Sequence, residues 1–596
     1  MRRLGLVISL ALGAAGLSSA QPYTGTNVTG QFVLTQSVNL MTLSQGQAAA
    51  TLQFNSAQGL LRSSDRRQPW DIDAADLATE IPLLRRRSSP GAVLSLSSVV
   101  SAVSAPTLSV TYAPDGAGFL GLTHLDQRQS YGGNQFSIEP PSPSLAVGNG
   151  YILEGVNNAV QVFTTSGTPL LPQVLSTNQV FGLAPSINRT TNLYGPFPTD
   201  MRVFFDADIQ RWFIVQRAQD NDIFRNPLDK SHLYVAVSQT ADPTGTYNIY
   251  VMDTTNASNS GCPCYFDFPQ LGADKYGFYI SGTEYNTSSN YAVDARILAI
   301  SKSSLAAGAT LPTVMQFLLR RTLGYEYAIQ PAVTPPGASY FVANNGLEYF
   351  VSSVVAGGSN LAVWAMANTG SLATANPSLT LSFASVPTLT YLTPPVAVQR
   401  DGPLPYGSSL SPAGRLAYID GADCRILSLT YAGGRLYATL ATRVSDTSGN
   451  PLVGGAYFVL TPTYRNGVVS ALPLRQGYLV VNGNDLLAPS IAVNAQGRGA
   501  VAFTLAGPDY YPSAAFVPIE TMSTGTELKI AGVGVQPEDG FSGYPGGLGV
   551  GIARWGDYST AVTAADGSIW MVAEYIPNAP RTPLANWGTY LMHYIF

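Results

Sequence analysis

The chain has 596 residues and a formal net charge of −5, from 31 Lys and Arg against 36 Asp and Glu. This small charge, without a basic stretch carrying interleaved aromatic residues, argues against a nucleic-acid partner. Charged residues make up only 11% of the chain, beside 58 Gly, 41 Pro and 32 Tyr. That composition favours many short strands joined by tight turns over long helices.

The N-terminus has the pattern of a secretory signal peptide. Arg2 and Arg3 precede an apolar run that ends at Leu17, and small residues precede Gln21. We therefore predict a signal peptide over residues 1–20 and a secreted, periplasmic or cell-surface protein. Twin-arginine export is an alternative, although the residues after the arginine pair match it weakly. The apolar run is shorter than the roughly 20 residues of a membrane span, and we expect no span elsewhere.

Residues 21–106 are rich in Ser, Ala, Gln and Thr. We predict that they form a poorly ordered, low-complexity or accessory segment. The triplet Arg85-Arg86-Arg87 is interpreted as a solvated loop, with a processing site as the alternative. Strand patterns begin near Leu108, so residues 107–596 are predicted to form the main domain.

Two hairpins in this domain echo each other. One runs from Cys264 to Tyr285 and the other from Asp557 to Tyr575. Each contains an Asp followed by an aromatic residue, then a Gly-containing turn, then a closing Glu-Tyr pair. The Glu follows the Asp at the same spacing in both, so antiparallel pairing predicts that each Glu returns beside its own Asp.

The hairpins belong to a longer repeat of strand opener, apolar run and turn. Its copies begin at Pro143, Asp200, Asp267, Gln330, Leu427, Pro489 and Asp557. This spacing is too long for a helical solenoid and suits four-stranded propeller blades. We predict an all-β protein, a β-propeller of seven blades preceded by the poorly ordered N-terminal segment. The longest step leaves room for an eighth blade between Leu361 and Leu392.

Three separated motifs occur in a fixed order: SQTADPTGTY at 238–247, DFP at 267–269 and RWGDYS at 554–559. With them, the chain from roughly Gly118 to Phe596 resembles a family of bacterial exported proteins of β-propeller type. That family typically carries SQTxDPTGxY, DYP and RWGDYS in this order, and Phe268 stands here in place of its Tyr. The resemblance implies the fold and export, and it brings no established activity.

The three cysteines are Cys262, Cys264 and Cys424. In an oxidising compartment they predict one disulfide and one remaining thiol, with Cys264–Cys424 and Cys262–Cys264 both open. We expect no metal and no cofactor, because no His or further Cys stands at ligand spacing. Asp206 and Asp208 are interpreted as a hairpin turn, since a calcium loop needs more oxygen ligands.

Candidate catalytic residues are the four hairpin acids, Asp267, Glu284, Asp557 and Glu574. Paired carboxylates on one propeller face could act as acid and base in glycoside cleavage. The favoured alternative is structural, with each Asp capping backbone N–H groups at a strand entry. Candidate ligand-binding residues supply hydrogen-bonding groups or aromatic rings: Asn157, Arg217, Tyr285, Trp555 and Tyr575. Aromatic residues of this kind are more often blade core.

Nucleophilic catalysis is not indicated, because the chain has three His and no GxSxG motif. Our first hypothesis is a secreted propeller that binds a glycan or a surface protein on one face. The second is a carbohydrate-active hydrolase or lyase that uses two of the four acids. A structural envelope role stays open, and the sequence alone does not decide whether the protein is an enzyme.

Overall fold

The computed structural model describes residues 23–46 and 106–596, apart from 192, 224–226, 290, 321–323, 404–417, 521–522, 544–550 and 583. The predicted signal peptide and the Arg85 triplet lie outside the described residues. Within the described part, seven antiparallel sheets of four principal strands are arranged as the blades of a β-propeller. The inner strand of each blade contacts the inner strand of the next, and blade 7 contacts blade 1, so the ring is closed.

Each blade has its first strand at the axis and its fourth strand at the outside. The strands of blade 1 are Ser144–Gly148, Tyr151–Val156, Ala159–Thr164 and Leu175–Ser176. Those of blade 2 are Phe197–Asp206, Arg211–Asn221, Pro227–Ser238 and Thr246–Asp253. Those of blade 3 are Cys264–Ala273, Gly277–Asn286, Ala292–Ser301 and Val314–Arg320. Those of blade 4 are Gln330–Pro331, Leu347–Ser353, Gly357–Ala367 and Thr380–Leu392.

The remaining three blades follow the same order. The strands of blade 5 are Ile426–Ala432, Arg435–Ser445, Pro451–Arg465 and Val468–Leu479. Those of blade 6 are Asp485–Val493, Gly499–Ala506, Ser513–Glu520 and Glu527–Gly532. Those of blade 7 are Thr560–Thr563, Ile569–Tyr575, Gly588–Tyr594 and Gly118–Thr123.

Blade 7 closes the ring with a strand from the other end of the domain. Gly118–Thr123 pairs antiparallel with Gly588–Tyr594, the last strand of the chain. The pairing joins the two ends of the propeller through main-chain hydrogen bonds and so closes the ring. Glu154 of blade 1 reinforces this closure, since its carboxylate accepts a 3.0 Å hydrogen bond from the Leu122 N–H and another from the Thr589 hydroxyl.

Part of the segment predicted to be poorly ordered has defined strands. Tyr23–Thr24, Thr26–Asn27 and Phe32–Asn39 add a fifth strand to the outside of blades 4, 3 and 2 respectively. Ser109–Tyr112 pairs in parallel with the outer strand of blade 6. Residues 47–105 lie outside the described residues. The N-terminal strands therefore run along the outer edge of the propeller, away from its axis.

The loops between these strands carry a few short elements. The α-helices are Leu40–Gln45, His124–Gln129, Thr177–Val180 and Lys302–Ala306. The 3₁₀ turns are Thr29–Gln31, Ser130–Gly133, Ala343–Asn345, Thr369–Ala373 and Phe541–Gly543. The extra short strands are Ile187–Asn188, Leu193–Tyr194, Ala397–Val398, Tyr418–Ile419, Ser523–Thr524 and Ile552–Ala553. No helix among the described residues is both long enough and apolar enough to cross a membrane.

The structure confirms the predicted all-β propeller, and each of the seven predicted copies coincides with the inner strand of one blade. The alternative of an eighth blade is wrong, because the stretch from Leu361 to Leu392 belongs to the two outer strands of blade 4. The long step arises mainly because residues 393–425 separate the last strand of blade 4 from the inner strand of blade 5, and the loop 332–346 within blade 4 adds to it. The disulfide joins Cys262 to Cys264, and Cys424 is buried and free.

Candidate ligand-binding site

All inner strands run in the same direction, so the propeller has two distinct ends. We name the end where the inner strands begin the entry face and the end where they finish the exit face. Every blade has a non-glycine residue with φ between 46° and 60° near the start of its inner strand: Ser142, Asp200, Phe268, Ala328, Ala422, Ala488 and Asp557. This left-handed conformation is costly for residues with a Cβ.

In several blades the kink coincides with a β-bulge. The register of the inner hairpin shifts between Thr199 and Arg202 in blade 2 and between Asp267 and Gln270 in blade 3. A bulge re-aims the side chains next to it. In these two blades the neighbouring side chains of Arg202 and Phe268 meet the same ring, that of Tyr558.

The axis at the entry face is filled by stacked aromatic rings. Phe268 of blade 3 stacks on Tyr558 of blade 7 with ring centroids 4.4 Å apart. The guanidinium of Arg425 lies 4.1 Å above the Phe268 ring, and that of Arg202 lies 4.4 Å above the Tyr558 ring. Blades 3 and 7 are not neighbours in the ring, so this contact crosses the axis. The two Asp-aromatic motifs of the sequence therefore meet at one point.

Asp267 is fully buried beside an arginine of blade 2. Arg217 Nη2 lies 3.3 Å from Asp267 Oδ1 and 3.5 Å from Asp200 Oδ2, and its guanidinium lies over the ring of Tyr265 at 5.4 Å. All three charged side chains are less than a tenth exposed. Arg217 and Asp267 are thus tied to each other as a structural ion pair, in a place that does not open to a ligand.

Asp557 pairs with Arg554 at 2.8 Å, and its side chain is 16% exposed. Burial is the largest cause of the strongly raised pKa of Tyr558, and the charges of Asp200, Asp267 and Asp557 raise it further, against the lowering effect of Arg202. Asp267 and Asp557 are therefore both close to Tyr558. Of the four predicted acids, the structure brings these two together around one ring.

Glu284 does not return to Asp267, so that part of the prediction is wrong. The register pairs Glu284 with Phe266 and Asp267 with Thr283. Successive residues of a strand point to opposite sides of the sheet, so the two carboxylates take different partners. Glu284 forms an ion pair with Arg296 and accepts a 2.9 Å hydrogen bond from Asn256 Nδ2. Burial raises the pKa of Glu284, and the Arg296 charge opposes that rise.

Glu574 lies in a cluster of buried acids that the sequence analysis missed. It accepts a 2.7 Å hydrogen bond from the Gly556 N–H, and burial raises its pKa well above the usual value. Glu139 and Glu538 are the other members, each 1% exposed. Burial raises the pKa of Glu139 to about 7 and that of Glu538 well above its usual value, with the Glu139 charge as the next cause for Glu538.

The other predicted ligand-binding residues are also occupied within the protein. The Asn157 side chain donates to the Pro140 carbonyl, and the Asn157 main-chain carbonyl accepts from Gln216 Nε2 at 2.6 Å. Tyr285 hydrogen-bonds the Tyr327 hydroxyl and stacks on Tyr265. Trp555 and Tyr575 are 3% and 6% exposed and belong to the hydrophobic core. Trp555 and Tyr575 are therefore core residues, which was the structural alternative for the aromatic candidates.

An open cavity lies at the other end of the axis. A cavity of about 490 Å³ is lined by residues from the inner strands of all seven blades and by the loop 333–340. Its mouth includes the turn after the blade 2 inner strand, and Arg202, which contacts the Tyr558 ring, is among its walls. Among the described residues that line this cavity, none is one of the four predicted acids. Its volume is in the range of small-molecule sites.

Charged residues at the mouth are held in place by one another. Asp206 Oδ1 accepts hydrogen bonds from the N–H groups of Asp208 and Ile209, which confirms the predicted turn. The buried Lys302 ammonium lies 2.8 Å from Asp206 and 3.4 Å from Asp208. In the described part of the chain, no group of three or more His, Cys, Asp or Glu residues is arranged to hold a metal ion.

Arg202 is the functional candidate that sequence reasoning missed. A signal was present, because Arg202 interrupts the apolar run of the blade 2 inner strand, MRVFF. A charged residue at the centre of a strand that is buried on both faces needs a partner or a function. The side chain lines the cavity and is 8% exposed.

No protein-family model and no curated protein matches this chain. Solved structures with a distant likeness include Trypanosoma rangeli sialidase in complex with sialic acid, at 12% identity and a TM-score of 0.31 over 66% of this chain and 53% of that one. An exo-β-1,3-galactanase from Clostridium thermocellum shares 7% identity at a TM-score of 0.27, over 80% and 99% of the two chains. Cellvibrio cellulosa α-L-arabinanase complexed with arabinohexaose shares 8% sequence identity at a TM-score of 0.26, over 66% of this chain and 95% of the arabinanase. The chain spans about half the length of the sialidase. Scores this low leave the fold assignment to the strand pairing described above.

Proposed function

We propose that this protein is an exported β-propeller that binds the end of a glycan in its central cavity, entered from the exit face. One observation carries the proposal: the cavity is open and lined by all seven blades, whereas all four predicted acids are engaged in ion pairs or hydrogen bonds and three of them are buried. Small ligands bind in concave sites where apolar walls carry a few polar groups.

The cavity walls suit a sugar in their chemistry. A sugar ring presents hydroxyl groups at its edge and C–H groups on its faces. The cavity offers apolar side chains, such as Leu145 and Ile491, and polar ones, such as Arg202, Gln330 and Ser490. Tyr340 stands among the lining residues and provides an aromatic ring. The proposed ligand is a glycan end rather than a long internal segment, since the aromatic stack fills the axis at the entry face.

Narrowing the mouth of the cavity should weaken glycan binding. Ala338 lies on the loop that lines the mouth, so an Ala338→Trp side chain would occupy the path of the ligand. We expect wild-type protein to bind a subset of a glycan array, and Ala338→Trp to lose at least about tenfold in affinity for it, a factor of ten being about 1.4 kcal/mol. Ala373→Trp, at an exposed position outside the cavity lining, is the matched control.

Equal binding by Ala338→Trp and wild type, with both folded by circular dichroism, would remove the cavity from consideration. Absence of binding to every glycan on the array would instead count against a glycan ligand. A surface protein as ligand, the other form of the first hypothesis, would then be the next class to test.

The second candidate function is a carbohydrate-active hydrolase or lyase. The observation in its favour is the cluster of Glu139, Glu538 and Glu574: burial raises all three pKa values, that of Glu139 to about 7, and a general acid must hold its proton near neutral pH. The burial of all three carboxyl groups argues against this function, because a substrate could not reach them. Release of reducing ends from any glycan that binds, abolished by Glu538→Gln, would establish this function. Intact glycan after prolonged incubation would exclude it for the glycans tested.

A further inference from the structure

Arg202 differs from the other buried arginines around the axis. Arg217, Arg296, Arg425 and Arg554 each form an ion pair with at least one carboxylate. Arg202 forms no ion pair with any described residue. Its contacts are the Tyr558 ring at 4.4 Å and one long hydrogen bond, from Nη1 to the Thr560 hydroxyl at 3.4 Å. A guanidinium has five N–H donors, so most of its capacity is unused.

Burial is costly for a cation that forms no ion pair. The Arg202 side chain is more than nine-tenths buried, and its Nε has no hydrogen-bond partner within the described part of the chain. Burial is the largest influence on the pKa of Arg202 and lowers it, while the charges of Tyr558 and Asp200 oppose that lowering. Such a charge is expected to be paired or to serve a ligand. Its position on the cavity wall gives a ligand access to it.

Other unused polar atoms line the same cavity. Ser490 Oγ on the inner strand of blade 6 and Gln330 Oε1 on that of blade 4 are buried without a hydrogen-bond partner among the described residues. Together with Arg202 of blade 2 they lie on three different blades around the axis. A ligand on the axis could therefore be contacted by a cation, a hydroxyl and an amide oxygen from three directions.

We propose that Arg202 binds the carboxylate of an acidic sugar residue, such as a uronic acid, at the deep end of the cavity. This inference rests on the proposed function and specifies its ligand. The planar guanidinium matches a carboxylate with two parallel hydrogen bonds, and the low-dielectric site strengthens them. The Ser490 hydroxyl and the Gln330 amide oxygen are then placed to contact ring hydroxyl groups.

The test is a glycan array that carries uronate-containing, sialylated, sulfated and neutral glycans, probed with wild type, Arg202→Gln, Arg202→Lys and the exposed control Arg475→Gln. We expect wild type and the control to bind carboxylate-bearing glycans. Arg202→Gln should lose on the order of 100-fold in affinity, the scale of a buried charged hydrogen bond. Arg202→Lys should recover part of the binding, because it keeps the charge without the planar fork.

The remaining outcomes separate the two proposals. Equal binding of neutral glycans by wild type and Arg202→Gln overturns the proposal that Arg202 binds a sugar carboxylate, and it leaves the cavity as a glycan site. A preference for sulfated glycans alone also overturns the proposal of carboxylate recognition. No binding by any form overturns both proposals.

A second readout does not depend on finding the ligand. If Arg202 serves a ligand, Arg202→Met should leave the urea midpoint of the ligand-free protein unchanged or raise it, because a buried charge that forms no ion pair is removed. If Arg202 is a structural residue, the same substitution lowers the midpoint. A lowered midpoint with unchanged glycan binding contradicts the proposed role.

Discussion

Arg217→Met should lower the free energy of unfolding by about 3–5 kcal/mol, the cost of breaking a buried ion pair by removing one partner. Arg217 lies between Asp200 and Asp267, and all three side chains are buried. The substitution keeps most of the apolar stem and removes the charge that compensates two carboxylates. The measurement is urea unfolding at neutral pH, followed by tryptophan fluorescence.

Arg475→Met is the matched control, because Arg475 is exposed on the outer strand of blade 5. Its effect should stay within about 0.5 kcal/mol. Adding Asp200→Asn and Asp267→Asn to Arg217→Met should restore part of the loss, since no uncompensated charge then remains. A loss below about 1 kcal/mol for Arg217→Met would show that the three residues do not form a compensated buried group.

The free energy of unfolding should fall as the pH rises from 4.5 to about 7, because Glu154 loses its proton in this range. Burial raises the pKa of Glu154 from 4.5 to about 7, against its hydrogen bonds from Thr589 and Leu122. A carboxyl group with a raised folded-state pKa binds its proton more tightly in the folded protein. Its contribution is therefore complete below pH 4.5 and is lost as the pH passes through 7. A shift of this size is worth about 3 kcal/mol.

The measurement is the free energy of unfolding between pH 4 and pH 8 in wild type and Glu154→Gln. The amide does not titrate and can still accept a hydrogen bond, so the pH dependence of the variant should be shallower by about 3 kcal/mol. Glu527→Gln, at an exposed site on blade 6, should leave the wild-type slope unchanged. Parallel pH profiles for wild type and Glu154→Gln would contradict the raised pKa.

The blades could be predicted from the sequence because each copy carries its own strand opener, apolar run and turn. The two Asp-aromatic motifs marked the inner-strand starts of blades 3 and 7, although the left-handed residue is Phe268 in blade 3 and Asp557 in blade 7, so the motifs are offset by one position. That Phe268 and Tyr558 stack across the axis could not be predicted, because the contact depends on the closure of the ring and on a bulge. The same bulge, between Asp267 and Gln270, separates Glu284 from Asp267.

The site depends on contacts between residues far apart in the chain, which local patterns do not contain. Glu139 precedes the first blade, yet it accepts a hydrogen bond from the Ser542 N–H at 2.8 Å. The cavity depends on the loop 333–340, whose position against the inner strands of other blades is not encoded in the repeat pattern. Arg202 could have been found, since a charged residue in an apolar inner strand is a local signal.

The most direct test of ligand binding in the central cavity is a crystal structure of the protein with the glycan that binds it most tightly. We predict electron density for a sugar inside the cavity, with a carboxylate within hydrogen-bond distance of the Arg202 guanidinium. The aromatic stack of Phe268 and Tyr558 should be unchanged beneath it. Density for the sugar at the entry face, against Asp557 or Trp555, would contradict the proposed site.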